Sequence, residues 1–277
     1  MNALESAVRK AKRGLGLSSD SIFVRSVRPA YDKLLNAVFG RSGIERQIHG
    51  EPPIRFRPKY RAVGEDFEFS VFTTLKSCVA EGGVVLDVGA NIGMYSMMFA
   101  RWVGATGHVY SFEPAPESLR ALRDHVLLNE LADRIDVIGQ AVSDEIGEAS
   151  FYAHSASGEN SLNPHFAQRV AGASSVRVPV TTIDEFCGTR GIRPSLLKID
   201  IEGFEFSALR GARETLKKYR PTVIVELHPH IWPEIGLTRD DAIATLSDLN
   251  CDALPLEKQI DPLTEFGHVR LRYRSVG

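Results

Sequence analysis

The fold class of this 277-residue chain is decided by residues 84–93, Val84-Val85-Leu86-Asp87-Val88-Gly89-Ala90-Asn91-Ile92-Gly93. The first five residues are nearly all apolar, which is typical of a strand that is covered on both faces. Gly89 and Gly93 follow at once, and the next residues, 94–102, have helical spacing. The stretch therefore predicts a strand, a tight glycine turn and a helix, the repeating unit of a doubly wound α/β fold.

The same alternation continues along the chain. Short apolar runs predict further strands at 109–112, 135–140, 196–199, 223–225, 251–256 and 268–274. Amphipathic segments predict helices at 65–80, 94–102, 116–129, 204–219 and 239–249. Two segments of alternating polarity, 149–152 and 176–180, predict half-exposed strands of an insertion beside the main sheet. We therefore expect a doubly wound Rossmann-like sheet with right-handed crossovers.

Composition excludes several classes of protein. Apolar residues make up 43% of the chain and charged residues 25%, which is ordinary for a globular protein with a sizeable core. The three cysteines are far apart and form no CxxC pair, so neither a disulfide scaffold nor a zinc cluster is expected. An odd number of cysteines fits reduced thiols and predicts a cytoplasmic location. No apolar stretch is long enough for a transmembrane segment, and no signal peptide is recognised.

Charge divides the chain into two parts. Residues 1–62 hold 13 Lys/Arg and 5 Asp/Glu, whereas the remainder is acidic. We predict a basic helical N-terminal extension at 1–62 and the main domain at 63–277. The extension is interpreted first as a solvated helix that packs on the body. A homo-oligomer arm, a cover over the substrate, and a segment that docks on a partner or an anionic membrane surface are the alternatives.

Polar residues at two strand ends indicate a nucleoside site. Gly89 lets the chain turn, and Gly93 lets the helix start against the strand, so that exposed helix amides favour an anion such as a carboxylate. Asp87 can accept a hydrogen bond from an amine. Phe112-Glu113-Pro114 ends the next strand, 24 residues after Gly89. Glu113 can accept two hydrogen bonds from a ribose diol.

The spacing of the turn distinguishes between two nucleosides. A dinucleotide site needs GxGxxG so that a pyrophosphate can lie on the helix N-terminus. Here Asn91 replaces the second glycine, and the third comes one residue early. The turn suits an amino-acid carboxylate and ammonium better, which points to S-adenosylmethionine as the cofactor.

Four blocks in this order resemble the FkbM family of class I S-adenosylmethionine-dependent methyltransferases. They are Leu86-Asp87-Val88-Gly89-Ala90-Asn91-Ile92-Gly93, Phe112-Glu113-Pro114-Ala115-Pro116, Leu197-Lys198-Ile199-Asp200-Ile201-Glu202-Gly203 with Glu205, and Glu226-Leu227-His228. The third block is the specific one, because the first is common to many methyltransferases. The resemblance covers roughly residues 65–250 and leaves residues 1–60 unmatched.

The resemblance implies a seven-stranded sheet whose last strand is antiparallel, a place that residues 268–274 could fill. It implies methyl transfer to a hydroxyl of a carbohydrate or secondary metabolite. The cofactor residues that carry over are Asp87, Gly89, Asn91, Gly93 and Glu113. By position, the turn from Ala141 to Asp144 is expected at the adenine.

The methyl acceptor is expected beside the carboxyl ends of two further strands. Asp200 and Glu202 follow the strand 196–199, while Glu226 and His228 share one side of the next strand. A histidine with an ordinary pKa is a suitable general base, so His228 is predicted to take the acceptor proton. Asp200 or Glu202 is predicted to orient either His228 or the substrate. Alternatively, Asp200, Glu226 and His228 hold a divalent metal ion that lowers the pKa of the hydroxyl.

Other functions stay open at this point. An NAD-dependent oxidoreductase shares the fold, but it needs the glycine that Asn91 replaces, and no Tyr-x-x-x-Lys constellation is present. A non-catalytic nucleoside-binding module could dock a partner through its basic extension. Nucleic acid is not expected as a partner, because the main domain is acidic and carries no basic strip with interleaved aromatic residues. A small-molecule or glycan acceptor is the expected partner.

Overall fold

The computed structural model describes residues 22–63, 69–153, 162–163 and 174–275. The chain divides into two compact units, residues 1–69 with 124–130, and residues 70–123 with 131–277. The basic helical pattern near residue 10 lies outside the described residues. The predicted boundary between residues 62 and 63 stays a prediction.

Among the residues that the structure describes, the first unit contains one long helix and a short hairpin. Helix α1 (Ile22–Phe39) precedes the antiparallel strands β1 (Ile44–Arg46) and β2 (Ile54–Phe56). The apolar side chains of this unit are completely or almost completely buried at Leu35, Ile44, Ile48, Ile54 and Phe56. The helical character predicted for the N-terminal part is therefore confirmed over the residues that the structure describes.

The remaining elements follow in chain order. The helices are α2 (Phe69–Cys78), α3 (Met94–Trp102), α4 (Pro116–Leu128), α5 (Ile183–Arg190), α6 (Glu205–Arg210), α7 (Arg213–Tyr219) and α8 (Arg239–Asp248). The strands are β3 (Val84–Val88), β4 (His108–Phe112), β5 (Ile135–Ile138), β6 (Ala141–Val142), β7 (Gly147–Ala153), β8 (Ser174–Thr181), β9 (Leu196–Ile199), β10 (Thr222–Leu227), β11 (Cys251–Pro255) and β12 (Gly267–Tyr273).

Seven of these strands form the main sheet, in the order β11-β12-β10-β9-β3-β4-β5. Strands β10, β9, β3, β4 and β5 are parallel, whereas β12 is antiparallel to both of its neighbours. The prediction of a seven-stranded α/β sheet with an antiparallel last strand is confirmed. Because parallel strands end at the same edge, the segments that follow β3, β4, β5, β9 and β10 all meet there.

A second sheet of three strands has the order β6-β8-β7. It confirms the predicted insertion, although β7 and β8 are longer than the alternating pattern indicated. The predicted strand 135–140 is wrong at its end, because β5 stops at Ile138 and Ala141–Val142 pairs in parallel with β8 instead. The polarity pattern could not show this change of partner, because it does not record which strand a segment pairs with.

The predicted helix 204–219 is also wrong, because it consists of the two helices α6 and α7. The helix is interrupted at Gly211, where an added Cβ would lie 2.1 Å from the carbonyl oxygen of Ser143. The Gly211 carbonyl accepts the backbone N–H of Asp184 at 2.9 Å. A tertiary contact therefore ends the helix at a position where the periodicity would continue it.

The core of the main sheet is almost entirely aliphatic and aromatic. Leu86 and Val88 of β3, Leu197 and Ile199 of β9, and Val225 of β10 are completely buried in one cluster. Each of these strands has helices on both sides in sequence, as a parallel sheet requires. Among the described residues, no helix is long and apolar enough to cross a membrane.

Candidate active site

The turn after β3 packs closely against the backbone at the carboxyl end of β9. Gly89 has φ 82°, and a Cβ there would lie 1.8 Å from the carbonyl oxygen of Asp200. The backbone N–H groups of Gly89 and Ala90 both donate to the carbonyl of Phe112, at 3.0 and 2.9 Å. Glycine at position 89 is thus required both for the turn and for the close approach of two backbone segments.

Gly93 has a different role from the one predicted. It precedes α3 with φ 89°, and a Cβ there would lie 2.3 Å from Cδ1 of Leu122 in α4. The glycine therefore lets two helices approach each other, rather than a helix and a strand. Gly93 is not among the residues that line the cavity described below.

Glu113 lies at the carboxyl end of β4 and is 5% exposed. Its two carboxylate oxygens accept backbone N–H groups from Asn91 at 2.7 Å and from Ala115 at 2.8 Å. Burial raises the pKa of Glu113 to about 7, although these two hydrogen bonds act in the opposite direction. Because each carboxylate oxygen can accept a second hydrogen bond, the side chain can still bind a diol.

A cavity of about 390 Å³ opens over this edge of the sheet. Gly89, Asn91 and Glu113 line its middle, where β3 and β4 end. Gln140, Ala141, Val142, Phe151 and Leu162 form the wall that follows β5. The size and lining are those of a small-molecule site with a few fixed polar groups.

Besides Gly93, two further predicted cofactor residues do not line this cavity. Asp87 is completely buried, and one carboxylate oxygen accepts the Ser96 hydroxyl at 2.6 Å. Burial raises the pKa of Asp87. Asp144 lies outside the cavity and pairs with Arg210 at 2.8 Å, so the prediction that it reaches the adenine is not supported by its position. Ala141 is in the wall, as predicted, and the sequence analysis missed Gln140 beside it.

Three carboxyl groups line the other end of the cavity, after β9 and β10. They belong to Asp200, Glu202 and Glu226. Glu202 has φ 52°, an uncommon backbone conformation for a residue with a side chain. The structure thus brings together the three acidic residues predicted at the acceptor corner.

Asp200 and Glu226 share one negative charge. Burial raises the pKa of Glu226, and the Asp200 charge beside it raises that pKa further. Burial also disfavours the charged form of Asp200, but Lys198 and a hydrogen bond with Glu226 outweigh it and lower the pKa of Asp200. At neutral pH the proton of the pair therefore lies on Glu226, and Asp200 is ionised.

His228 lies behind these carboxyl groups and is 3% exposed. Its Nε2 lies 3.5 Å from Glu202 Oε2, and its Nδ1 lies 2.8 Å from Glu205 Oε1. Burial favours the neutral ring, but the contacts with Glu205, Glu202 and Asp200 prevail and raise the pKa of His228 to about 9. The imidazole is therefore protonated at neutral pH and does not line the cavity. Both facts argue against the predicted general base.

A methyltransferase family model matches these elements. The model, described as the methyltransferase FkbM domain, matches residues 87–276. The chain belongs to the FkbM methyltransferase family. The match begins at the strand end before the glycine turn and runs through the last strand, so it includes every residue of the cavity.

Curated relatives of this FkbM-family chain act on different molecules. A 31-O-demethyl-FK506 methyltransferase from Streptomyces tacrolimicus is 30% identical over 174 residues, covering 53% of this chain and 66% of the relative. A hexuronic acid methyltransferase from Haloferax volcanii is 24% identical over 168 residues, covering 60% of this chain and 65% of the relative. The chain thus spans slightly less than two thirds of the length of these two relatives.

A solved structure of the family is also similar. The methyltransferase FkbM of Methylobacillus flagellatus KT is 20% identical to this chain, with a TM-score of 0.47. The similarity covers 69% of this chain and 43% of that one.

Glu205 is a further functional candidate, and the sequence places it in the first turn of the predicted helix 204–219. It does open α6, but it is completely buried. It accepts the backbone N–H of Gly203 at 2.7 Å and contacts His228 and the Trp232 indole N–H, the latter at 3.4 Å. The sequence gives one signal for this role, its position in the family-specific block, but no indication of its partner.

Phe266 is a second candidate site residue that the sequence did not indicate. It lies in the loop between β11 and β12, is 56% exposed, and has its ring centroid 5.2 Å from that of His228. His230, 6.1 Å away, borders the same ring. Trp232, by contrast, is 2% exposed and belongs to the core. No local pattern brings residue 266 near residue 228, because only the antiparallel placement of β12 beside β10 does so.

The predicted metal ligands are close together. Asp200, Glu226 and His228 each have a ligand atom within 4.8 Å of the others. However, the ammonium of Lys198 lies 3.0 Å from Asp200 Oδ2 and compensates its charge. A divalent ion at these donors would therefore share Asp200 with an ammonium group.

Proposed function

We propose that this protein transfers the methyl group of S-adenosylmethionine to a hydroxyl of a sugar or secondary metabolite. The main support for this proposal is that a single cavity is lined at one end by the Gly89–Asn91 turn and Glu113, and at the other end by the carboxyl groups of Asp200 and Glu202. The first part suits an amino acid and a ribose, and the second suits a proton-releasing acceptor. The names of the relatives from Streptomyces tacrolimicus and Haloferax volcanii support a metabolite or sugar acceptor.

The cavity has a suitable group of residues for each part of S-adenosylmethionine. Glu113 accepts the ribose hydroxyls, and the wall of Gln140, Ala141 and Phe151 surrounds the adenine. The amino-acid part of the cofactor would lie against the glycine turn, whose Gly89, Ala90 and Asn91 amides already donate to Phe112 and Glu113. The ionised carboxylate of Asp200 would attract the positive charge of the sulfonium.

Glu202 is our candidate for the general base. Its carboxylate lines the cavity and is held by the protonated ring of His228. Asp200 is a weaker base because its pKa is lowered, and Glu226 already carries a proton. In the reaction the C–S bond breaks with its electrons left on sulfur, a C–O bond forms, and the hydroxyl proton passes to Glu202. His228 acts as a positioning residue for this carboxylate.

The exposed ring of Phe266 supports an acceptor with an apolar face. A sugar ring or a macrocycle can lie on an aromatic side chain while its hydroxyl points toward the carboxylates. An acceptor seated on Phe266 would lie near the ring of His228, which in turn contacts Glu202.

Calorimetric titration tests the proposal. We expect S-adenosylmethionine and S-adenosylhomocysteine to bind, NAD not to bind, and Glu113→Gln to weaken the interaction strongly. Asp133→Asn is the matched control, because Asp133 is 77% exposed and precedes β5 at the other edge of the sheet. Binding of NAD alone would favour the oxidoreductase, and binding of neither ligand would favour the non-catalytic module. Sugars and glycosides can then be screened with and without EDTA.

A further inference from the structure

A lysine is buried in the middle of the acidic end of the site. Lys198 belongs to β9 and is 3% exposed. Its Nζ lies 3.0 Å from Asp200 Oδ2 and 5.2 Å from the centre of the Tyr95 ring. Lysine is almost never buried without a charged partner, so this position requires an explanation.

The sheet register places acidic residues around this ammonium. Asp87 of β3 lies directly opposite Lys198. Ile224 of β10 lies opposite it on the other side, so Glu226, two residues later, has the same orientation. Asp200 follows on the same face of β9. One ammonium thus serves a group of acids from three neighbouring strands.

Two of these acids, together with His228, form the only cluster of metal-ligand type found among the described residues. Asp200, Glu226 and His228 have the chemistry of a divalent-ion site and lie within 4.8 Å of one another. What differs from a metal site is the lysine bonded to Asp200. A divalent ion would have to share this carboxylate with an ammonium, and the two like charges would repel each other.

We propose that Lys198 is a built-in cation that takes the electrostatic place of a divalent ion and makes methyl transfer independent of metals. The ammonium keeps Asp200 ionised at the cavity wall, where the sulfonium is expected. It also prevents Mg²⁺ or Mn²⁺ from binding the three donors. The statement about the reaction rests on the proposed function, whereas the statement about metal exclusion does not.

The proposal predicts that removal of the ammonium creates a metal site. In Lys198→Gln, Asp200 loses its charge partner, and a bound metal ion can displace the protons of Glu226 and His228. Mn²⁺ should then bind at least about tenfold more tightly than to the wild type, because repulsion is replaced by attraction. Lys198→Arg keeps a cation and should exclude Mn²⁺ as the wild type does. The double variant Lys198→Gln with Glu226→Gln should lose the gained affinity.

Electron paramagnetic resonance of free Mn²⁺ measures this binding without any methyl transfer. Equal Mn²⁺ affinity of wild type and Lys198→Gln overturns the proposal, and so does tight binding by the wild type. If Lys198→Gln fails to fold, the wild type and Lys198→Arg still decide, since micromolar Mn²⁺ binding by either refutes exclusion. With an acceptor in hand, wild-type turnover should resist EDTA, and Mn²⁺ should raise turnover only in Lys198→Gln. Failure of the methyl-transfer assay alone leaves the Mn²⁺ result standing.

Discussion

Nδ1 of His228 lies 2.8 Å from Oε1 of Glu205, a carboxylate with no exposure to solvent. The other oxygen of Glu205 receives the indole N–H of Trp232. A completely buried carboxylate keeps its charge only with such partners. The pair therefore holds His228 as an imidazolium and fixes its Nε2 near Glu202.

This pair predicts a specific pH dependence of stability. The pKa of His228 is raised from 6.5 to about 9 in the folded protein, because the acids around it outweigh the effect of burial. The imidazolium thus stabilises the fold fully below pH 6.5, and this contribution is lost as the pH rises through 9. Between these values the wild type should lose up to about 3 kcal/mol of unfolding free energy relative to His228→Gln.

Urea unfolding at several pH values measures this difference. Glu205→Gln is the matched variant, because it keeps the shape of the side chain but removes the charge that raises the pKa of His228. Its loss of stability above pH 6.5 should be smaller than in the wild type and should end at a lower pH. Parallel pH profiles of wild type and His228→Gln would show that folding does not raise the pKa of the ring.

Glu113 predicts that cofactor binding weakens in acid. Burial raises its pKa to about 7, and a ribose diol donates best to the ionised form. The dissociation constant of S-adenosylhomocysteine should therefore rise as the pH falls below 7, by at most about tenfold per pH unit. In Glu113→Gln, binding should be weak and nearly independent of pH over this range. A flat wild-type profile would contradict the assignment of Glu113 to the ribose.

Gly89 predicts a large cost for the smallest substitution. In Gly89→Ala the new Cβ meets the Asp200 carbonyl oxygen, which belongs to the backbone and cannot rotate away. We expect a loss of about 3 kcal/mol or more in unfolding free energy. Gly191→Ala is the control, since Gly191 also has positive φ but open space around it. That variant should lose only about 1 kcal/mol. Equal losses would mean that backbone conformation alone, and not the approach to Asp200, requires the glycine.

Phe266 predicts a change in acceptor binding without a change in chemistry. With an identified acceptor, Phe266→Ala should raise KM by about threefold to tenfold while kcat stays near the wild-type value. Ile260→Ala is the control, because Ile260 lies in the same loop and is 94% exposed but has no ring contact with His228. If both variants leave KM unchanged, the acceptor does not lie on this ring.

Local sequence predicted those parts of the fold that depend on local chemistry. The apolar run before Gly89 predicted β3, because a strand covered on both faces needs apolar residues throughout. The prediction from local sequence failed at two places. At Gly211 a contact with a distant segment ends the helix, and after Ile138 the chain leaves the main sheet and pairs with β8. Hydrophobic periodicity contains no term for such contacts.

At the site, the sequence determined which ionisable side chains are available, and the fold determined their protonation states. Glycines and acids at strand ends were enough to predict a nucleoside corner and an acceptor corner, because the carboxyl ends of parallel strands must meet at one edge. The ionisation of His228, the proton on Glu226 and the compensation of Asp200 by Lys198 depend on burial and on distances of a few ångströms. Those quantities arise only when strands β3, β9 and β10 are placed side by side, since electrostatic interactions in a buried site vary steeply with distance and solvent exposure.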